Sequence, residues 1–143
     1  MIDMFKRIIE DDINKYLKSS DNNALFIWGP RRSGKTTLIN KLAGELGVKK
    51  YNFDLGSDRE KFAATRDALD AIVKENKVVL IDEVQNYPEA TIVIKLLHDE
   101  YNTKVIATGS SELRQKSKKF DTLAGRFNEI YCLPLSIYEI FEN

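Results

Sequence analysis

The chain has 143 residues, about one domain's worth and short for two. Its 22 basic and 22 acidic side chains cancel, which excludes a global field drawing it to nucleic acid or to a membrane surface. Cys132 is the sole cysteine, which excludes an intrachain disulfide, and no apolar run reaches membrane-spanning length, so a cytoplasmic domain is expected.

In chain order, "MIDMFKRIIEDD" mixes charge into every turn and is not a secretory signal. Residues 2–18 set Phe5, Ile8, Ile9, Ile13, Tyr16 and Leu17 at helical spacing. "SSDNN" reads as a loop, and "ALFIWG" as a buried strand. A helix follows from about Gly34 to Leu46, with Leu38, Leu42 and Leu46 on its core side and Gly47 as its stop. "KKYNFDL" (49–55) reads as a second strand. Ser57 with Glu60 predicts a capping box for one helix running to about Glu75. "KVVLIDE" (77–83) is nearly continuously apolar, as in a strand covered on both faces. Pro88 is expected to open a further helix. "KVIATGS" (104–110) is a fourth strand, 111–126 is helix plus loop, "NEIYCLPL" (128–135) is a fifth strand ended by Pro134, and a short helix closes the chain. This alternation predicts an α/β three-layer sandwich around five parallel strands.

"GPRRSGKTT" fits G-x-x-x-x-G-K-[ST] at Gly29, Gly34, Lys35 and Thr36, between a strand and a helix. A triphosphate needs many donors with no side chain in the way. Gly29 and Gly34 permit that approach, and the amides of Arg31, Arg32, Ser33 and on to Thr37 would form an anion nest at the helix start. The candidate nucleotide-binding segment is thus Gly29, Pro30, Arg31, Arg32, Ser33, Gly34, Lys35, Thr36 and Thr37, with the Arg31 and Arg32 side chains expected toward solvent or a partner. Lys35 would reach the β- and γ-phosphates, and the Thr36 hydroxyl would ligate Mg²⁺. Asp82 ends an apolar strand, where it can hold the Mg²⁺ shell, and Glu83 can accept a proton from the attacking water. A GTPase would want glycine where Gln85 stands, and "NTKV" is no guanine-reading motif, so the nucleotide expected is ATP.

"GPRRSGKTT", "LIDEVQ", "ATGSS" and "LAGRFNEIYCLPLSIYEIF", in this order, resemble the AAA-type domain of a family of archaeal and bacterial P-loop ATPases. The resemblance covers roughly residues 20–142 and implies a single AAA+-type ATP-binding core, with 1–18 as a leading amphipathic helix and 19–143 as the P-loop core. It implies strand order 5-1-4-3-2, with the strand of the acidic pair not adjacent to that of the phosphate loop. It also implies that Lys35 and Thr36 contact nucleotide and Mg²⁺, that Asp82 is the metal carboxylate and Glu83 the catalytic base, and that Thr108 or Ser110 senses the γ-phosphate. Family members usually continue past "LPLS" into helical and nuclease-like domains, so a core without a helical lid is expected here.

Arg126 would act either as an arginine finger or as half of a structural ion pair, and a homo-oligomer or a partner protein is expected as the source of such a finger. Arg114, Lys116, Lys118 and Lys119 form a basic run that would serve either as a solvated loop or as a nucleic-acid contact. His98 lacks companions at metal-ligand spacing, and Trp28 is expected to pack beside the loop rather than stack on adenine. The function expected is a Mg²⁺-dependent ATPase, weak in isolation, with a nucleotide-gated binding module or a DNA-associated regulator as the alternatives.

Overall fold

The computed structural model describes residues 2–30, 34–116 and 119–132, with side-chain surroundings given except at 2–8, 115 and 116. Five parallel strands form one sheet: β1 Ala24–Gly29, β2 Lys50–Asn52, β3 Val78–Asp82, β4 Lys104–Ser110 and β5 Phe127–Tyr131. Their order is β2-β3-β4-β1-β5, so β4 separates the acidic-pair strand from the phosphate-loop strand as expected.

Alternation along β1 divides the core. Phe26 and Trp28 point to one face with Leu69 and Ile72 of α4 (Arg66–Glu75) and Val93, Ile94 and Leu97 of α5 (Ala90–Asp99). Leu25 and Ile27 point to the other, where Ile9, Ile13 and Tyr16 of α1 (Ile2–Lys18) meet Ile39 and Leu42 of α2 (Lys35–Leu46). Strands buried on both faces must be apolar throughout, which is why β1 and β3 are buried at every position. Gly47, left-handed at φ 66°, ends α2, and its N–H bonds the Ala43 carbonyl.

Three expectations need correction. The helix expected from Ser57 to Glu75 is two, α3 (Gly56–Lys61) and α4, because Phe62 is wholly buried edge-on against Tyr51 and Phe53 and takes the chain out of the helix. Ser57 therefore lies inside α3, and the cap of α4 is Thr65, whose hydroxyl accepts from the Ala68 N–H at 3.3 Å. The second strand is shorter than 49–55, since a turn closed by the Leu55 N–H on the Asn52 carbonyl bends it away. Pro88 sits in a turn two residues before α5, which begins at Ala90 after a 3₁₀ turn at Val84–Asn86. Pro134 and the expected closing helix, like Phe5 and Ile8 as core side chains, lie outside the described residues. Among the described residues no helix is long and apolar enough to cross a membrane.

Candidate functional site

Parallel strands all deliver their carboxyl ends to one edge of the sheet, and the candidate site lies there. Gly34, at φ 88°, takes a left-handed conformation that other residues adopt at a cost, and it turns the chain from β1 into α2. The first amides of α2 have no acceptor within the helix and carry the positive end of its dipole. Arg31, Arg32 and Ser33 lie outside the described residues.

Lys35 is buried, and its Nζ donates to the carbonyls of Gly29 at 2.6 Å and Pro30 at 2.8 Å. Burial holds its pKa below the usual lysine value, against a partial offset from the carboxylates of Glu83 and Asp82. Asp82, almost fully buried at the end of β3, has both oxygens engaged. Its Oδ2 accepts from the Thr36 hydroxyl at 3.1 Å; its Oδ1 accepts from the Thr108 hydroxyl and, at 3.1 Å, from the Glu83 N–H. A hydroxyl and a carboxylate held this close are hard oxygen donors of the kind Mg²⁺ takes, so the residues present fit that ion.

Glu83 follows in the left-handed region, φ 56° and ψ 48°, uncommon for a residue with a side chain. Its carboxylate accepts from Gln85 Nε2 at 2.6 Å. Gln85 Oε1 in turn accepts from the Ser110 N–H at 3.3 Å, at the end of β4. Lys35, Thr36, Glu83, Gln85 and Ser110 line a common cavity of about 460 Å³. Thr108, by contrast, is wholly buried beneath it. The two strand-four hydroxyls are therefore not equivalent: Ser110 borders the cavity and Thr108 holds Asp82.

A family model described as an AAA domain matches residues 21–141. The chain belongs to the AAA+ P-loop ATPase family. The AAA domain is 28% identical over 120 residues to the uncharacterized protein MJ1637 of Methanocaldococcus jannaschii, a match covering 75% of this chain and 25% of that protein. It is 27% identical over 84 residues to the replication factor C large subunit of Nanoarchaeum equitans, covering 55% of this chain and 20% of the relative. The chain thus spans a quarter or less of the length of these relatives. AMPPCP-bound DnaA from Aquifex aeolicus shares the fold, with a TM-score of 0.57 and 15% identity over 88% of this chain and 45% of that one.

The remaining sequence candidates fall elsewhere in the AAA domain. Arg126 precedes β5, whose Phe127 pairs with Ala24 at the start of β1, roughly 17 Å of strand from the phosphate loop. Its Nε donates to Asp99 at 3.1 and 3.2 Å, and hydrogen bonds from His98 and Arg126 hold the Asp99 carboxyl below its ordinary range. Arg126 therefore does not meet Lys35 and Glu83 within the chain. Arg114 leaves the basic run: it bonds Asp121 at 2.7 Å and Glu129 at 3.3 Å and lies over the Trp28 ring. Trp28 is wholly buried, stacked on Phe26 and edge-on to Phe120, so it is a core residue. His98 bonds Asp99 and Asn23, and no cluster of metal-ligating side chains occurs among the described residues.

Gln85 was legible as the residue that stands where a GTPase would want glycine and as the end of the family-like "LIDEVQ" stretch, with no role attached to its side chain. No spacing rule signals that its side chain folds back over Glu83. Asn86, which bonds Asp54 in the turn after β2, was equally silent.

Proposed function

We propose that this AAA domain binds ATP with Mg²⁺ and hydrolyses it to ADP and phosphate, slowly when alone. The observation that carries the reading is the shared cavity in which the α2 amino end, Lys35, Thr36 and Glu83 converge above the Thr36–Asp82 contact. Lys35 and the first amides of α2 would bind and orient the phosphates. Thr36 and Asp82 would hold Mg²⁺, which when bound neutralises charge on the phosphate oxygens. Glu83 would accept the proton of the attacking water at its carboxylate, and the Ser110 hydroxyl would orient that water or the γ-phosphate. Transition-state charge also calls for a guanidinium. Arg126, turned away from its own chain's site, would supply one to a second copy, a contribution worth roughly 10³–10⁵ in rate where such fingers act. Turnover by isolated chains is therefore expected well below about 1 s⁻¹.

The test compares Glu83→Gln with the parent chain. ATP should bind both about equally, while turnover should survive only in the parent, because an amide cannot accept the water's proton. Equal turnover would remove Glu83 as the base, and failure of either chain to bind ATP would remove the reading altogether. A second reading, a nucleotide-gated binding module with little turnover, is favoured by one observation: the Glu83 carboxylate is already engaged by Gln85. Binding without turnover at any protein concentration would select it.

A further inference from the structure

We propose that Gln85 is a positioning residue that ties the Glu83 carboxylate to the main chain at the carboxyl end of β4. The proposal rests on the reading of Glu83 as the base. One carboxamide makes both contacts, donating through Nε2 to Glu83 Oε2 at 2.6 Å and accepting at Oε1 from the Ser110 N–H at 3.3 Å.

The surroundings leave this side chain little choice of path. Val84 is wholly buried and anchors the 3₁₀ turn that carries Gln85. Asn86 pins the same turn from the other side by donating to Asp54. Between them, Gln85 crosses β4 at Gly109, where a Cβ would stand 2.7 Å from Gln85 Oε1 and 2.5 Å from the Trp28 ring. Glycine at 109 is thus what lets the carboxamide lie across the strand.

Glu83 has its own need of a tether. Its left-handed backbone sends the side chain out of the direction a strand would give it, and a free glutamate there would sample several rotamers. The donor from Gln85 selects one. Because the acceptor end of the same amide is fixed to Ser110, the aim of Glu83 follows the position of that peptide. Ser110 also lines the cavity, so a phosphate group that displaces the Ser110 peptide would re-aim Glu83 through a single planar group.

Two substitutions in the full chain separate the two ends of the bridge. Gln85→Met keeps length and loses both polar contacts. Gln85→Glu keeps the acceptor for the Ser110 N–H and loses the donor to Glu83. Without nucleotide, hydrogen exchange at the Ser110 amide should quicken about tenfold or more in Gln85→Met and stay near parental in Gln85→Glu. The Gln85 side-chain amide resonance should stand away from the free-glutamine position in the parent and return to it in Glu83→Ala. In ATP turnover, kcat should fall about 10- to 100-fold in both Gln85 variants, with ATP affinity within about twofold of the parent. Parental Ser110 exchange in Gln85→Met, a free-glutamine resonance in the parent, or parental kcat in both variants would each overturn the proposal. A parent chain that binds ATP without turnover would defeat the ATPase reading alone, and the two nucleotide-free measurements would still decide the bridge.

Discussion

The hydroxyl of Thr108 on β4 donates to Oδ1 of Asp82 on β3, so the acid that ends one strand is held by the strand beside it. Both groups are buried, Thr108 at 0% exposure and Asp82 at 1%, and a buried carboxylate oxygen that loses one of its two donors, here keeping only the Glu83 N–H, is left undersatisfied at a cost. Thr108→Val keeps the shape and removes the donor. It should lower stability by about 1–3 kcal/mol in urea unfolding, whereas Thr108→Ser should recover most of that loss. Equal stability of the valine variant would show that Asp82 does not depend on this bond.

Lys35→Met should weaken ATP binding about 10- to 150-fold, the worth of a hydrogen bond to a charged group, as read by calorimetry. Unchanged affinity would remove Lys35 from the phosphate site.

The pH dependence of that lysine has two opposite signs. Because burial lowers its pKa below 10.5, ATP affinity should fall as pH rises through the folded-state value, at a lower pH than an exposed lysine would dictate. Folding stability should change the other way over the same window. The unfolded chain binds more protons there, so this lysine's contribution to stability rises with pH. Calorimetry and unfolding at matched pH values in the parent and in Lys35→Met isolate both slopes.

Gly109→Ala places a methyl group against the Trp28 ring and Gln85 Oε1. The ring is wedged between Phe26 and Phe120, so the side chain that gives way is Gln85. Stability should drop by about 1–3 kcal/mol, and turnover should fall with it as the Gln85 contact to Glu83 is displaced. Retained turnover with a large stability loss would place the strain elsewhere.

Mixing Arg126→Ala with Glu83→Gln tests whether the arginine acts between copies. Each variant alone should be slow, and the mixture should regain activity at interfaces that pair an intact base with an intact arginine. No recovery across a wide range of protein concentration would leave Arg126 as the structural partner of Asp99.

Arg114 of the basic run is committed to Asp121 and Glu129, so the nucleic-acid reading is tested at Lys116, Lys118 and Lys119. If DNA binds, neutralising all three should flatten the salt dependence of binding by about two to three units, at roughly 0.9 per lost phosphate contact, with ATP binding intact. Absence of DNA binding at low salt would retire a nucleic-acid role.

Much of this protein is written in local pattern. Continuous apolar runs locate β1, β3 and β4, helical spacing locates α1 and α2, and the phosphate-loop motif with Asp82 and Glu83 is readable because each depends on neighbours along the chain. Composition and periodicity carry no strand order; that came with the family resemblance of the motifs and stands in the sheet as β2-β3-β4-β1-β5. What only the tertiary structure decided are contacts between segments distant in sequence. Phe62 breaks a helix because its pocket lies between Tyr51 and Phe53, a fact invisible to the capping pattern around Ser57. Thr108 and Ser110 sit two residues apart in one motif, yet one holds Asp82 and the other borders the cavity, since β4 lies between β3 and β1. Gln85 reaches Ser110 across 25 residues because a left-handed Glu83 reverses the chain and a glycine on the next strand leaves room. Arg126 faces away from its own site because parallel strands put the start of β5 at the opposite edge of the sheet. Sequence pattern encodes what a residue does to its own segment; sheet order and packing decide which other segment it meets.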